Sequence, residues 1–408
     1  MRCIASLHTI IENRARNGSV FLYIYILNKI MMEKLIVKNF GPIKEAEIDL
    51  TKYVVFIGDT STGKSVLAKL ISIFRDFLFL LKNKRKSSLI FYDEILDLIN
   101  QLKNYNIDFN NDDSIFEYYN SKLELKIENY KIVKIKEDYK SVYNFKDSTN
   151  FSESFSKEEM EKAFSIIYNP RKSVYFPPER MLTSLISSSI SGLWANNVAL
   201  PICFKNFAAK YEVARKENVN ISFEDFGFNY SFVNNEELIS NLGVQFQLNK
   251  ASSGIQSLIP LLLVFKYELR LEVFKPELNF LIEEPELNLF PIKQKRLVDF
   301  LIKNVNKTNH KLIITTHSPY VLSSLDTLML AKNTFNENPD LKEEITAIIS
   351  EDKWIDYDDI SVYEVRNDGK VYSIKNEEFR SIDTNAIDSV SDIISEEFDK
   401  LTELRYAH

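Results

Sequence analysis

The pattern of residues 33–81 predicts two short strands with alternating polar and apolar side chains, followed by a buried strand and a helix. Residues 33–50 alternate apolar and polar side chains in two runs separated by Gly41-Pro42, which predicts a hairpin-like pair of strands. The continuous apolar run Tyr53–Ile57 is typical of a strand that is buried on both faces. A glycine-containing turn follows this run, and we expect a helix over Lys64–Leu81. The order strand, turn, helix is that of an α/β unit.

Residues 82–170 differ in composition, because they are rich in Asn, Lys, Asp and Tyr, and we interpret them as an inserted subdomain. Within them, Leu123–Ile135 alternates and predicts an antiparallel hairpin. After the insertion, helices are expected to alternate with buried strands. The expected elements are strand Ser173–Phe176, helical residues 181–216, mixed residues 219–243, helix Gly254–Phe274, strand Leu278–Glu283, helix Pro291–Val305, strand Lys311–Thr315, hairpin 360–374 and helix 385–404.

This pattern predicts a doubly wound α/β head with a mixed β-sheet, an antiparallel β portion and helical insertions. The predicted divisions are an amino-terminal extension (1–31), the first part of the head (32–81), the inserted subdomain (82–170), a return strand with a helical and mixed lid (171–243) and the second part of the head (244–408).

Composition favours a globular protein without a disulfide framework or a membrane span. The 408 residues are 45% hydrophobic and 27% charged, as in ordinary globular proteins, and the formal net charge of −7 argues against a broad nucleic-acid-binding face. Two cysteines, Cys3 and Cys203, make no disulfide framework and fit a reducing cytoplasm. The apolar run Val20–Leu27 is shorter than the roughly 20 residues of a membrane span. We therefore expect a cytoplasmic protein without a membrane partner.

The strongest motif fits G-x-x-x-x-G-K-[ST] and stands between the buried strand and the helix. Its glycines let backbone N–H groups converge on phosphate oxygens, and the helix N-terminus adds positive potential. The lysine is expected to reach the β- and γ-phosphates, and the serine hydroxyl to bind Mg²⁺. A plain strand-to-helix turn is the alternative, which the flanking elements disfavour. The candidate residues are Gly58, Asp59, Thr60, Ser61, Thr62, Gly63, Lys64 and Ser65.

A second motif places acids at the end of the buried strand Leu278–Glu283, where ligands bind in an open α/β sheet. Glu283 is the candidate that holds Mg²⁺ through water, and Glu284 is the candidate that polarises the attacking water of phosphoryl transfer. Glu286 is a weaker candidate, because it could instead cap the next turn. The alternative for the whole group is a charged strand end that faces solvent.

A third motif, Lys250–Ser257 (KASSGIQS), opens a helix ahead of the acids. It resembles the signature motif of ABC ATPases in the SSG-x-Q form of the OLD, RecF and SMC branch. By that resemblance Ser253 and Gly254 contact the γ-phosphate bound by the opposite subunit, and Gln256 belongs to the same nucleotide-binding set. Alone, the motif is equally a serine N-cap before a helix; the order and spacing of the motifs favour the functional interpretation.

Three further stretches extend the resemblance from about Met32 to Leu325. Residues 285–291 (PELNLFP) resemble the loop after the acids in this branch, which lies near the dimer seam. His317, after a buried strand, resembles the switch histidine that senses the γ-phosphate. Residues 174–180 (VYFPPER) resemble the PAER-like segment of OLD-type ATPases, where the glutamine of the broader ABC family is not evident. Either Glu179 or Arg180 is therefore a candidate neighbour of the nucleotide.

The resemblance implies a Mg²⁺-dependent ATPase in which two heads sandwich two ATP molecules as a homodimer. Since the stretch after His317 is short for the TOPRIM nuclease domain of full OLD proteins, we expect an ATPase subunit of a bacterial antiphage defence system that controls a separate effector, a nuclease or toxin. A RecF-like module of DNA repair that binds DNA ends is the alternative. A scaffold that holds ATP with little turnover is a third.

Overall fold

The computed structural model describes residues 33–84, 98, 100, 102–109, 113–120, 123–137, 172–186, 199–270, 278–383 and 385–406. The predicted extension 1–31, with its apolar run Val20–Leu27, lies outside these ranges, as does much of the predicted insertion 82–170.

Strands occur throughout the described ranges. Their bounds are β1 Lys34–Phe40, β2 Ile43–Asp49, β3 Tyr53–Ile57, β4 Ile115–Asn120, β5 Leu123–Glu128, β6 Lys131–Glu137, β7 Lys172–Phe176, β8 Asn220–Phe223, β9 Phe228–Val233, β10 Glu236–Asn241, β11 Val244–Gln247, β12 Leu278–Glu283, β13 Lys311–Thr316, β14 Ile360–Val365, β15 Val371–Ser373, β16 Lys375–Asn376 and β17 Ser381–Ile382.

Helices connect the strands and cover the sheets. The α-helices are α1 Lys64–Lys84, α2 Met181–Leu185, α3 Ile202–Glu217, α4 Ser253–Arg270, α5 Pro291–Asn306, α6 Pro319–Glu337, α7 Lys342–Ile348 and α8 Asn385–Tyr406. A single 3₁₀ turn, Pro178–Arg180, links β7 to α2. Among the described residues, no helix combines the length and apolar character that a bilayer crossing requires.

The central sheet has the strand order β15-β14-β3-β13-β12-β7. Its strands β14, β3, β13, β12 and β7 are parallel, and only the edge strand β15 is antiparallel, so the sheet is mixed as predicted. The carboxyl ends of β3, β12 and β13, which carry the phosphate loop, the acids and His317, therefore share one edge of the sheet. In an open parallel sheet this is the edge where ligands bind.

Two antiparallel sheets flank the central one. The five-stranded sheet has the order β2-β1-β4-β5-β6 and the four-stranded sheet the order β11-β10-β9-β8. The predicted hairpins over 33–50 and 123–135 are both formed, as β1–β2 and β5–β6. They belong to one sheet, because β4 joins β1 to β5. The α/β fold with a mixed sheet and an antiparallel portion is thus confirmed.

The hydrophobic core lies on both faces of the central sheet, as the side chains of β3 show. Tyr53, Val55 and Ile57 belong to the cluster that α3–α6 and the four-stranded sheet cover. Val54 and Phe56 belong to the cluster beneath α1 and the five-stranded sheet. Since both faces of β3 are covered, every residue of the strand is buried, which explains the unbroken apolar run in the sequence. Each fully buried apolar side chain stabilises the fold by roughly 1.5–3 kcal/mol.

A buried polar network ties α1 to the sheets at the opposite edge, where β12 and β13 begin. Arg75 of α1 donates through Nε to Glu33 Oε1 (2.7 Å) and through Nη1 to Asn279 Oδ1 (2.9 Å). Lys311 Nζ lies 2.6 Å from Glu33 Oε2, and the Tyr118 hydroxyl donates to the same carboxylate. These charge-assisted contacts fix the position of α1 and therefore of the loop before it.

Candidate active site

The phosphate-binding loop runs from the end of β3 into α1, and two of its glycines are required by their surroundings. Gly58 has φ 151°, and a Cβ built on it would lie 2.2 Å from the carbonyl oxygen of Val365. Gly63 has φ 110°, and its Cβ would lie 2.4 Å from Cδ1 of Ile43. The loop is therefore enclosed by the β14–β15 hairpin on one side and the β1–β2 turn on the other.

Lys64, the first residue of α1, points its ammonium back into the loop. Its side chain is buried, and Nζ donates to the carbonyl oxygens of Gly58 (2.9 Å) and Asp59 (2.6 Å). Burial lowers the pKa of this ammonium, and nearby carboxylates oppose the shift by stabilising its charge. These carboxylates are, in decreasing order of effect, Glu284, Asp59, Glu286 and Glu283. The lysine thus lies in the field of all three glutamates at the end of β12, Glu283, Glu284 and Glu286.

Hydrogen bonds within the loop hold its middle residues. Asp59 accepts from the backbone N–H of Thr60 (2.6 Å), and Thr62 Oγ1 donates to the Asp59 carbonyl (3.0 Å). The Thr60 hydrogen bond and then a contact with the Asn367 side chain lower the pKa of Asp59. Ser61 has φ 63°, in the left-handed region, as a loop that turns its amides inward requires.

Ser65 and Glu283 supply oxygen donors of the kind that Mg²⁺ prefers. Ser65 is the second residue of α1 and is half-buried, whereas Glu283 ends β12 and is buried. Glu283 Oε1 accepts from the Tyr175 hydroxyl (2.8 Å) and lies 3.7 Å from Lys69 Nζ. A hydroxyl and a carboxylate, with waters and phosphate oxygens completing the shell, fit the usual Mg²⁺ site of nucleotide-binding proteins.

Glu284 and His317 face each other across the ends of β12 and β13. Glu284 Oε1 lies 3.6 Å from His317 Nε2, and both side chains are partly exposed. Glu284 has φ 43°, a left-handed conformation that costs a non-glycine residue on the order of 1–3 kcal/mol. Its backbone N–H donates to the Thr315 carbonyl (2.9 Å). This hydrogen bond ties residues 283–286, which we call the acidic loop, to β13. A partly exposed carboxylate beside an imidazole can position and deprotonate a water.

Glu286 holds the turn that carries the histidine. Its Oε1 accepts from Thr316 Oγ1 (2.7 Å) and from the backbone N–H of His317 (2.8 Å). Its Oε2 is buried with no hydrogen-bond partner in the described part of the chain. The carboxylate therefore caps a turn, as the alternative for Glu286 had it, but this turn is the one after β13. Glu286 thereby connects the acidic loop to the end of β13.

The signature residues begin helix α4 and pack against the loop after the acids. Ser253, the first residue of α4, is exposed. A Cβ on Gly254 would lie 2.7 Å from the Asn288 carbonyl oxygen, so glycine permits this approach. Gln256 is buried, and its Nε2 donates to the Asn249 carbonyl (3.0 Å). Gln256 thus joins helix α4 to the segment that precedes it. Its contact with nucleotide stays a prediction.

Sequence reasoning missed the side chains that hold the acids in place. Tyr175 on β7 and Lys69 on α1 contact the Glu283 carboxylate. Of the two candidates in the PPER segment, Glu179 is exposed, whereas Arg180 is fully buried and donates to backbone carbonyls of the acidic loop. The resemblance of this segment and its position at the end of a strand made Arg180 a candidate, but not its partners, which lie about one hundred residues away along the chain.

A phosphate loop, an acidic strand end and a following histidine at one edge of a doubly covered parallel sheet define an ATPase head of the P-loop class. The AAA ATPase domain family matches residues 31–322, and the chain belongs to that family. The expectation of an ATPase domain is thereby confirmed. No curated protein matches the chain.

Solved structures with similar folds include SMC heads and an ABC cassette. The SMC head domain from Thermotoga maritima is 14% identical and aligns over 72% of this chain and 92% of its own, with a TM-score of 0.35. The Smc head from Pyrococcus furiosus bound to the C-terminal domain of ScpA is 12% identical over 92% and 99%, with a TM-score of 0.37. A dimeric bacterial ABC transporter cassette is 10% identical over 83% and 96%, with a TM-score of 0.33.

Proposed function

We propose that this ATPase domain hydrolyses ATP with Mg²⁺ and that two copies enclose two nucleotides between them. The convergence of charge on the phosphate loop carries the proposal. The Lys64 ammonium is buried in the field of the acids at the end of β12, and Glu284 of that group lies 3.6 Å from His317 Nε2. Phosphoryl transfer needs this combination of fixed positive charge, a carboxylate and a hydrogen-bonding group at the γ-phosphate.

In the proposed reaction a water oxygen attacks the γ-phosphorus, the bond from that phosphorus to the β–γ bridging oxygen breaks, and ADP leaves. Glu284 orients the water and accepts its proton, while Lys64 and the loop amides balance the charge on the phosphate oxygens. His317 donates a hydrogen bond to the γ-phosphate. Ser65 and Glu283 would hold Mg²⁺, which supplies further positive charge at the phosphates.

The second half of each site is proposed to come from Ser253 and Gly254 of the partner subunit. Two observations support a seam at this place. Ser253 is exposed at the start of α4, where a hydroxyl and backbone N–H groups can bind an anion. Phe290, in the loop that packs against Gly254, is 75% exposed, as a side chain that a partner covers would be. A γ-phosphate bound by both copies gives the closed dimer the differential affinity that a switch needs.

Glu284→Gln tests hydrolysis and dimerisation together. The variant should bind Mg-ATP but hydrolyse it about 10²–10⁴-fold more slowly, because the general base is lost. It should therefore accumulate as a dimer in mass photometry with Mg-ATP and dissociate when EDTA removes the metal. Adding Lys64→Ala is the control, since it should abolish ATP binding and the dimer. A monomeric Glu284→Gln protein that has bound ATP would contradict the sandwich, and unchanged phosphate release would favour the ATP-holding scaffold.

The biological role proposed is control of a separate nuclease or toxin effector in a bacterial antiphage defence system. It is supported by the resemblance of the PPER segment to OLD-type ATPases, within a head whose SSG-x-Q and PELNLFP segments resemble the wider OLD, RecF and SMC branch. Tagged Glu284→Gln protein purified with Mg-ATP from its native cells should carry the effector, which mass spectrometry would identify. An ATP-locked dimer that carries DNA and no effector would instead support the RecF-like repair function.

A further inference from the structure

Arg180 is one of the large side chains that are fully buried among the described residues, and it lies directly beside the acidic loop. It ends the 3₁₀ turn Pro178–Arg180 between β7 and α2, and its exposure is 0%. Burial lowers the pKa of its guanidinium to about 10, while nearby carboxylates, Glu286 first, favour the charged form. The guanidinium therefore remains charged near neutral pH. A buried charge without an ordered set of acceptors would be strongly unfavourable, so its partners indicate its role.

Its acceptors are main-chain carbonyls. Nη1 donates to the carbonyl of Glu283 (2.8 Å) and to that of Pro177 (3.2 Å). Nη2 donates to the carbonyls of Glu284 (2.6 Å) and Pro285 (3.3 Å). One planar guanidinium thus spans three consecutive peptide groups of the acidic loop and anchors them to the end of β7. The rigid fork of arginine suits this arrangement, which a lysine ammonium cannot reproduce.

The middle residue of those three is the one in a strained conformation. Glu284 has φ 43°, and both of its peptide groups are held: its N–H by the Thr315 carbonyl at 2.9 Å and its C=O by Arg180. A non-glycine residue keeps such a conformation only where its surroundings over-determine it. The direction of the Glu284 side chain depends on this backbone. In the proposed function, that side chain is the base.

We propose that Arg180 is a positioning residue that holds Glu284 in the left-handed conformation from which its carboxylate orients the attacking water. This rests on the function proposed above, and it assigns the PPER segment a role toward the acidic loop rather than toward the nucleotide. Helix α2, which directly follows this segment, reaches the signature helix α4, since Ser184 Oγ donates to the Gln256 carbonyl (2.6 Å). The contacts of the segment and of α2 therefore join the two motifs that the proposed site combines.

A double-mutant cycle between Arg180→Lys and Glu284→Gln tests this role in steady-state assays of ATP hydrolysis. Arg180→Lys should lower kcat about 10- to 100-fold, because a base displaced by about 1 Å loses that much rate, while KM and ATP affinity change less than about threefold. In the Glu284→Gln background the same substitution should lower the residual rate no further. A merely structural role would lower both rates by the same factor.

Arg215→Lys is the matched control, because this buried guanidinium pairs with Glu237 of the four-stranded sheet, 3.4 Å away. It should leave kcat unchanged, and a loss equal to that of Arg180→Lys would overturn the inference. Equal loss by Arg180→Lys in both Glu284 backgrounds, or a fall of ATP affinity as large as the fall of kcat, would also overturn it. If Arg180→Lys is unfolded at the assay temperature, Arg180→Gln, which keeps an amide donor, enters the same cycle.

The cycle separates the two proposals. If Glu284→Gln alone hydrolyses ATP at the full rate, the proposed function fails and the role of Arg180 fails with it. If Glu284→Gln is slow but Arg180→Lys acts independently of it, only the role of Arg180 is overturned.

Discussion

The phosphate loop and the acidic loop lie at the same edge of the central sheet but are stabilised in opposite ways. The phosphate loop depends on missing side chains, because neighbouring backbone and apolar atoms fill the space where Gly58 and Gly63 lack a Cβ. The acidic loop depends on large polar side chains, because Arg180 binds its carbonyls and Glu286 bonds it to β13. One loop fits its surroundings because its glycines leave room for close neighbours, and the other is held by polar side chains from distant parts of the chain.

Gly58→Ala tests whether the phosphate loop depends on the missing side chain, and we expect the largest effect from this substitution. The added methyl would lie 2.2 Å from the Val365 carbonyl oxygen at a φ of 151°. Strain of on the order of 1–3 kcal/mol, together with the clash, should lower ATP affinity at least about tenfold, measured by calorimetry. Gly243→Ala is the control, since it adds a methyl at a φ of 79° with nothing within 4 Å. It should leave ATP affinity unchanged, and equal losses would show that the close approach to Val365 is unimportant.

Glu286→Ala tests whether side chains hold the acidic loop. The substitution leaves the Thr316 hydroxyl and the His317 N–H without their acceptor, which costs about 1–3 kcal/mol for each group that stays buried. The melting temperature should fall, and hydrolysis should slow about tenfold because the His317 turn is released. Glu286→Gln keeps one acceptor oxygen and should lose less on both measures. If Glu286→Ala has the melting temperature and the hydrolysis rate of the wild type, Glu286 does not hold the acidic loop in place.

The same contrast explains what the sequence could predict. The phosphate loop was predictable residue by residue, since a backbone that wraps a phosphate needs glycines and a lysine at fixed local spacing. The apolar runs at Tyr53–Ile57 and Leu278–Glu283 likewise predicted buried strands, and both are formed. Arg180 and Glu286 gave no comparable signal, because their roles depend on partners that only folding brings together. The hairpin 360–374 was expected, but its parallel pairing with β3 depends on the order of strands, which no local pattern encodes.

Tyr175→Phe is a milder test of the same side-chain support. It removes only the hydroxyl that donates to Glu283 Oε1 at 2.8 Å and leaves the ring in place. The loss should be about 0.5–1.5 kcal/mol of stability, or more if the carboxylate stays buried without another donor. The Mg²⁺ concentration for half-maximal hydrolysis should shift by less than about tenfold, since Glu283 keeps its position at the strand end. A complete loss of activity would show that the phenol has a direct part in catalysis.

We expect the smallest change in ATP affinity from Asp59→Ala, because Asp59 serves the phosphate loop through its backbone and not through its side chain. Its exposed carboxylate accepts from the Thr60 N–H, which lowers its pKa below 3.8. Asp59→Ala should therefore change ATP affinity less than about threefold, because the amides that bind phosphate remain. A group with a lowered pKa stabilises the fold above its unfolded pKa and loses that effect as pH falls through the folded value. Any difference in melting temperature between Asp59→Ala and wild type should thus be constant near neutral pH and shrink below about pH 3.8. A large affinity loss at neutral pH would show that the loop also depends on a side chain, and the contrast between the two loops would weaken.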